Sequence, residues 1–342
     1  MNLLFLKNQN KLQRVLLLML IGIIFSQSGV AQLSNSFTSL QQPSFAKIGG
    51  LGGVNASLYA NEQGFFIYNP SLLSEINSNN LMVSYGFLPG GAGLANVNYS
   101  HDFNNLGMFA ASMQYLSYGA IQGYDNTGMP TTTFSPSDYT IQVTHARQAN
   151  NFRIGASLKF SNTGINGYNG NAILLDLGGL FVHPEKDFTA GAVIKNFGFV
   201  TSEFSSTSNT TLPFDVQLGT SFKPEHMPVR FSVTLHQLHE WNLMNEGEQI
   251  NTFNTTMDNI FRHVVIGAEF ILNEHISVLG GYNHLRRKDL KPEQSGGFSG
   301  ISLGFDLNIK AYEFVYAMGG YHVAGNNHSL SLSVNLSEIT TK

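Results

Sequence analysis

Between residues 81 and 336 apolar and polar side chains alternate in about fourteen short segments. The last is the clearest, with Leu330, Leu332, Val334 and Leu336 interleaved with Ser329, Ser331, Ser333 and Asn335. Successive side chains of an extended chain point to opposite faces, so such a segment has one greasy and one wet side. Likewise Phe152, Ile154, Ala156, Leu158 and Phe160 oppose Arg153, Gly155, Ser157 and Lys159, and Phe214, Val216, Leu218 and Phe222 oppose Asp215, Gln217, Gly219 and Ser221. The alternation predicts strands at 81–87, 94–101, 106–116, 138–147, 151–160, 172–182, 187–195, 214–222, 229–237, 262–272, 276–284, 298–308, 311–321 and 328–336.

Two architectures bury such faces, a soluble sandwich and a barrel whose apolar side meets lipid and whose polar side lines a lumen. Charged positions Arg153, Lys159, Asp215, Arg230 and Glu269 all fall on the polar side. A Lys or Arg facing lipid at mid-bilayer costs about 2–4 kcal/mol, so this sorting is what a membrane barrel requires. Connection lengths point the same way. Those after even-numbered segments are short (102–105, 148–150, 183–186, 223–228, 273–275, 309–310), and those after odd-numbered ones are mostly long (117–137, 161–171, 196–213, 238–261, 285–297). Short periplasmic turns on the side of both termini and long extracellular loops opposite are the asymmetry of outer-membrane barrels. The expected fold is therefore all-β, a closed antiparallel transmembrane β-barrel of about fourteen strands. Tyr85, Phe87, Tyr99, Phe103, Tyr115, Tyr118, Tyr282, Tyr312 and Tyr321 lie near segment ends and are expected to form interfacial girdles.

The first thirty-one residues read as a cleavable signal peptide: Lys7, Lys11 and Arg14, then an apolar run over 15–25, then Gly29 and Ala31 before a cut ahead of Gln32. Export to the outer membrane follows. Charged residues are only 12% of the chain, about half the usual 25%. With no cysteine there is no disulfide framework, thiol catalyst or lipidated N-terminal cysteine. A net charge of −4 without a basic stripe argues against nucleic acid as a partner.

Residues 32–80 have another texture, apolar and glycine-rich around Phe45, Gly49, Gly50, Gly52 and Gly53, then Asn69 and Pro70. Unstructured tails lack such apolar runs, and glycine permits close backbone approach. This segment is expected to plug the lumen of a barrel made by 81–342, with Asn69-Pro70 turning the chain into a short helix at 71–74.

Catalytic and metal motifs are weak. Ser44-Phe45-Ala46-Lys47 matches the Ser-x-x-Lys box of penicillin-recognising enzymes, but no Lys-Thr-Gly box accompanies it and Ser137-Asp138-Tyr139 departs from Ser-Asp-Asn. Gly50-Leu51-Gly52-Gly53 lacks the last glycine and the βαβ context of a dinucleotide fingerprint, so no cofactor is expected. His236, His239 and Glu240 crowd together, but in extended chain the two histidines point to opposite faces, so no metal site is expected. The loop carrying Glu240, Glu246, Glu248 and Asp258 lacks calcium-loop spacing. A basic cluster of His284, Arg286, Arg287, Lys288 and Lys291 reads as a solvated rim, or a grip on lipopolysaccharide or on partner carboxylates. The chain is expected to be noncatalytic, with Tyr118, Tyr124, His239, Trp241, Arg286 and Arg287 as partner-binding candidates in its loops.

Taken in order, several stretches resemble the PorQ family of outer-membrane components of the type IX secretion system of Bacteroidota. They include 43–53, Asn69-Pro70, 135–139, Pro213-Phe214-Asp215-x-Gln217-x-Gly219, Arg230-Phe231-Ser232, Leu238-His239-Glu240-Trp241, Arg262-His263-Val264, 281–287, 297–300 and Tyr321-His322-Val323-Ala324-Gly325. One departure is Lys47, where the resemblance leads one to expect arginine. The resemblance implies a fourteen-stranded barrel similar to the FadL fatty-acid transporter fold, with an N-terminal hatch. It also implies a noncatalytic anchor for a PorZ-like surface protein within a PorU/PorV/PorZ attachment complex, where PorU trims secreted cargo and joins it to lipopolysaccharide. The alternative is a FadL-like transporter of hydrophobic small molecules, its plug acting as a gate.

Overall fold

A computed structural model describes residues 37–59, 63–204, 210–244, 250, 252–290, 298–322 and 325–340. The signal-peptide reading of 1–31, and the side chains of Glu246, Glu248, Lys291, Val323 and Ala324, lie outside them.

Fourteen strands close into one antiparallel barrel. They are β1 Asn80–Phe87, β2 Gly93–Asp102, β3 Met108–Ser117, β6 Ser137–Ala149, β7 Phe152–Ile165, β8 Tyr168–Val182, β9 Phe188–Ser202, β10 Asp215–Phe222, β11 Val229–Leu235, β12 Val264–Ile271, β13 Ile276–Asn283, β14 Ile301–Ile309, β15 Tyr312–His322 and β16 Gly325–Asn335. Each strand pairs with its sequence neighbour, and β1 closes on β16 from Asn80↔Asn335 to Phe87↔His328. Closure leaves no unpaired edge, the condition for strands in a bilayer. A separate hairpin, β4 Ile121–Tyr124 with β5 Pro130–Phe134, rises from the loop after β3.

The alternation becomes two surfaces. Val83, Val97, Ile141, Leu158, Leu218, Ile266, Phe305 and Leu332 are exposed on the outer wall, while Ser84, Asn96, Gln142, Lys159, Gln217, Thr234, Asp306 and Ser331 are buried inside. The inner face is not uniformly polar, however. Met82, Met108, Leu180, Leu279, Val315 and Ala317 also point inward, into a core shared with Phe45, Ile48, Leu51, Phe65, Phe66 and Leu72. Inward apolar residues occur where the wall meets apolar chain instead of water.

Three expectations change. The long loop expected at 161–171 is a two-residue turn, because β7 and β8 run on to Ile165↔Tyr168. Asn166 and Gly167 both have positive φ, 47° and 85°, as a type I′ hairpin turn demands. The loop after β11 carries a helix, Phe253–Arg262, started by a reciprocal Thr252/Thr255 capping box, and a second helix, His284–Asp289, begins on an Asn283 cap. Finally, not all the expected girdle aromatics face lipid. Tyr85, Phe87, Tyr99, Phe103, Tyr115 and Tyr312 are exposed, but Tyr321 shares the inward parity of Val315 and Ala317 and donates its hydroxyl to the Gly49 carbonyl. Tyr118 hydrogen-bonds Thr38 and Asp138, and Tyr282 pairs with His284.

This geometry sharpens one test. Leu332→Arg is expected to block stable insertion, since an outward Arg at mid-bilayer costs about 2–4 kcal/mol. From alternation alone Ser331→Arg should be better tolerated, but Ser331 Oγ accepts the Ala46 N–H at 2.8 Å. The Ser331 variant should therefore insert and lose its interior packing. Heat-modifiable gel migration reads insertion, and protease sensitivity of residues 37–79 reads packing.

Candidate functional site: the plugged lumen and the long-loop face

Residues 37–59 and 63–79 fill the lumen. Their first residues lie at the long-loop end, where Phe37 packs with Ala172 and Leu174, and Thr38 meets Tyr118. They leave at the short-turn end, where Gln63 bonds the Asn80 carbonyl and Asn98. Only the C-terminal strand and the start of β1 obey the expectation that both chain ends approach from the short-turn side. The segment before β1 instead threads the barrel from one end to the other.

A one-turn helix, Ala46–Gly50, sits deepest, and five residues are too few to persist by propensity. The wall completes it. The Ala46 N–H goes to Ser331, the Gly50 carbonyl accepts from Ser302 Oγ at 2.9 Å, and the Gly52 N–H donates back to that oxygen at 3.0 Å. Lys47 is buried with Nζ 2.6 Å from Asp306, 3.2 Å from Glu269 and 3.8 Å from Glu313. Arg230 joins this group through Glu269 at 2.8 Å. Phe45 packs edge-on against Phe65, with centroids 5.1 Å apart. Asn69 caps the turn Pro70–Leu72 through Ser71 N and also donates Nδ2 to the Ala56 carbonyl at 2.7 Å. The sequence placed that turn at 71–74, one residue later, as an ordinary helix.

Glycines on the wall make this approach possible. A Cβ at Gly155 would lie 2.4 Å from the Pro70 carbonyl carbon, at Gly191 2.2 Å from the Ala56 oxygen, and at Gly281 2.2 Å from Gly52 N. Within the plug, Gly52 and Gly53 have positive φ, 96° and 85°, and a Cβ at Gly52 would strike Val265 at 2.6 Å. Gly50 is tight against Leu279, whereas Gly49 has ordinary space. None of the wall glycines stands out in sequence.

Ser44 and Lys47 do not converge: Ser44 Oγ donates to Gln114 at 2.7 Å while Lys47 is held by carboxylates. Near the rim, His236 is buried and its imidazole is held neutral, its pKa pushed down to about 4 by desolvation. His239 lies outside against Phe214 at 5.1 Å. Among the described residues no three His, Cys, Asp or Glu side chains are set to hold a metal.

The partner candidates separate. Tyr124 and Trp241 are 64% and 61% exposed at the long-loop end, and Trp241 stacks on His263. Tyr118 points inward, burial raising its phenol to about 12. Arg286 also turns inward, 4.2 Å over the Tyr321 ring and 3.3 Å from the Gln41 carbonyl. Arg287 rests 3.5 Å from the Ser299 carbonyl. Lys288 and His284 of the basic cluster bind Asp258 at 2.7 and 2.9 Å, tying the helix His284–Asp289 to the helix Phe253–Arg262. Partial burial works to raise the Asp258 carboxyl, but hydrogen bonds from Lys288, His284 and Arg262 outweigh it and hold it at about 2. A depressed carboxyl stabilises the fold above its unfolded value of about 3.9 and loses that contribution as pH falls towards the folded value. The tie should hold at neutral pH and loosen between about pH 4 and 2; Asp258→Asn should loosen it at all pH values, read as faster protease cleavage within 238–261.

Comparison by sequence yields no family model and no characterised protein that matches the chain. Comparison of structures yields membrane barrels. The Pseudomonas putida toluene transporter TodX aligns with a TM-score of 0.55 at 11% identity, covering 90% of this chain and 100% of its own. A TodX mutant lacking S2 and S3, described as a monoaromatic hydrocarbon channel, aligns with a TM-score of 0.52 at 14% identity over 86% and 99% of the two chains. A Pseudomonas aeruginosa FadL homologue aligns at 0.47 with 11% identity, over 85% and 98%. At such identity the likeness speaks to fold alone, and by that fold the chain is a closed antiparallel fourteen-stranded β-barrel similar to that of TodX, closed around residues 37–59 and 63–79.

Proposed function

We propose that this barrel is a noncatalytic platform of the type IX secretion system, holding a PorZ-like protein of a PorU/PorV/PorZ attachment complex at the cell surface. The observation that carries this reading is the packed lumen. A plug bonded along its length to the wall and locked by Lys47 suits a rigid anchor, and the exposed Tyr124, Trp241 and Phe253 offer aromatic surface of the kind that partners bury. The ordered set of PorQ-like stretches supplies the partner's identity. Removing hairpin residues 121–134 and loop residues 238–261 should leave the barrel inserted and lower copurified PorZ-like protein by about tenfold or more, a loss of at least ~1.4 kcal/mol. Undiminished recovery would sink the reading.

A second reading is favoured by the fold comparison, which supports transport of a hydrophobic small molecule more directly than it supports anchoring. Here the plug is a gate. Uptake of a labelled fatty acid or toluene into liposomes carrying the protein, altered by loosening the plug, would establish it. An impermeable barrel that retains its partner excludes it.

A further inference from the structure

Where the plug meets β3, β6, β7 and β9 a small cavity remains, lined by Ser44 and Tyr68 of the plug and by Ser112, Gln142, Lys159 and Lys195 of the wall. Two ammonium groups face it. Lys159 is matched, by the Asp176 carboxylate and by Asn196 Oδ1 at 3.1 Å. Lys195 has no such contact: it is 6% exposed, its Nζ stands 4.5 Å from the centre of the Tyr68 ring, and among the described residues no carboxylate lies within ion-pair distance of it and no acceptor within hydrogen-bond distance, the charges of Asp176 and Asp215 acting on it only from farther off. Asp215 is engaged elsewhere, accepting from Gln217 Nε2 and from the Gln237 N–H at 2.6 Å.

The backbone departs from regular pairing to place that cation. Between Leu175↔Phe197 and Leu177↔Ile194 the strands slip, so Lys195 and Asn196 together oppose Asp176. Asn196 takes a φ of 56°, and both residues are buried towards the lumen. Such a bulge re-aims a side chain at the cost of ladder pairing. A desolvated ammonium facing only a ring is an unfinished site, since the ring quadrupole supplies a fraction of a counter-ion's attraction.

We propose that this cavity binds one small monovalent anion of halide size, held by Lys195 Nζ and by the Ser112 hydroxyl. Ser112 Oγ accepts from Asn96 at 3.2 Å and has its own proton to give. Asp176 is already ion-paired with Lys159 and Asp215 is held by Gln217 and Gln237, so the direct contact position at Lys195 Nζ is open to one such anion. Size agrees: a cavity of about 20 Å3 has room for one or two waters or one halide and is too small for a phosphate. Bound there, the anion pins Ser44 and Tyr68 of the plug to the wall.

The test uses the purified full chain in detergent, unfolded by heat in chloride or bromide against gluconate at constant ionic strength. The midpoint should rise with halide concentration in the way ligand binding to the folded state requires, and bromide-soaked crystals should carry an anomalous peak beside Lys195 Nζ. Lys195→Met should abolish both, while Lys186→Met, in an exposed turn, should keep both. A halide-dependent shift unchanged in Lys195→Met, or only water in the cavity of soaked wild-type crystals, overturns the proposal. If Lys195→Met fails to fold, the bromide peak decides. Neither arm involves a protein partner or an apolar solute, so the outcome is separable from both readings above.

Discussion

Lys47→Met is expected to destabilise the plugged state by about 3–5 kcal/mol, the usual penalty for leaving buried charges without their partner. The variant removes the ammonium that sits between Asp306, Glu269 and Glu313 and leaves Glu269 to Arg230, which also serves Asp187 at 3.5 Å. The barrel ladder does not depend on Lys47, so the strands should stay inserted while the plug loosens. Two measurements separate these effects: heat-modifiable migration should persist, and planar-bilayer conductance should rise from a closed baseline. Asp306→Asn in the Lys47→Met background should recover part of the loss, because residues in direct contact couple by about 0.5–3 kcal/mol in a double-mutant cycle. A stable, closed Lys47→Met barrel would show that the hydrogen bonds to Ser331 and Ser302 and the close glycine contacts hold the plug without it.

The second large effect is steric, and two adjacent residues test it. At Gly281 a Cβ would fall 2.2 Å from Gly52 N and 2.5 Å from the Leu51 carbonyl carbon, both backbone atoms that cannot swing aside. At Gly280, on the opposite face, it would meet nothing within 4 Å. Gly281→Ala is expected to reach or exceed the upper end of the ~1–3 kcal/mol usual for overpacking, whereas Gly280→Ala should stay within about 0.5 kcal/mol of the parent. Urea unfolding midpoints and protease cleavage between residues 37 and 79 read the difference. Equal behaviour would mean that the plug does not press on the wall at Gly52.

Some of what the structure added was within reach of the sequence. Asn166-Gly167 is the strongest short-range hairpin signal available, and reading it would have replaced the long loop at 161–171 by a turn. Thr252 and Thr255 before an apolar-periodic stretch mark a helix start in the same way. Other features were beyond reach. Lys47 is legible as a charge in an apolar segment, but its carboxylates are more than two hundred residues away and carry no local mark. Gly155, Gly191 and Gly281 look like unremarkable lumen positions, because alternation assigns a face without saying what lies opposite it.

Strand number, strand order and the division into lipid and lumen faces were determined by the sequence alone, because period-two alternation and loop length are local properties of an extended chain. The tertiary structure alone decided that residues 37–59 and 63–79 thread the barrel from the long-loop end, that Tyr118, Tyr321 and Arg286 turn inward, and that Lys195 faces a cavity with no ion-pair or hydrogen-bond partner among the described residues. Those outcomes depend on closing the barrel around its own N-terminal segment. Closure brings together side chains that no local pattern relates, and their sizes and charges settle which way each one points.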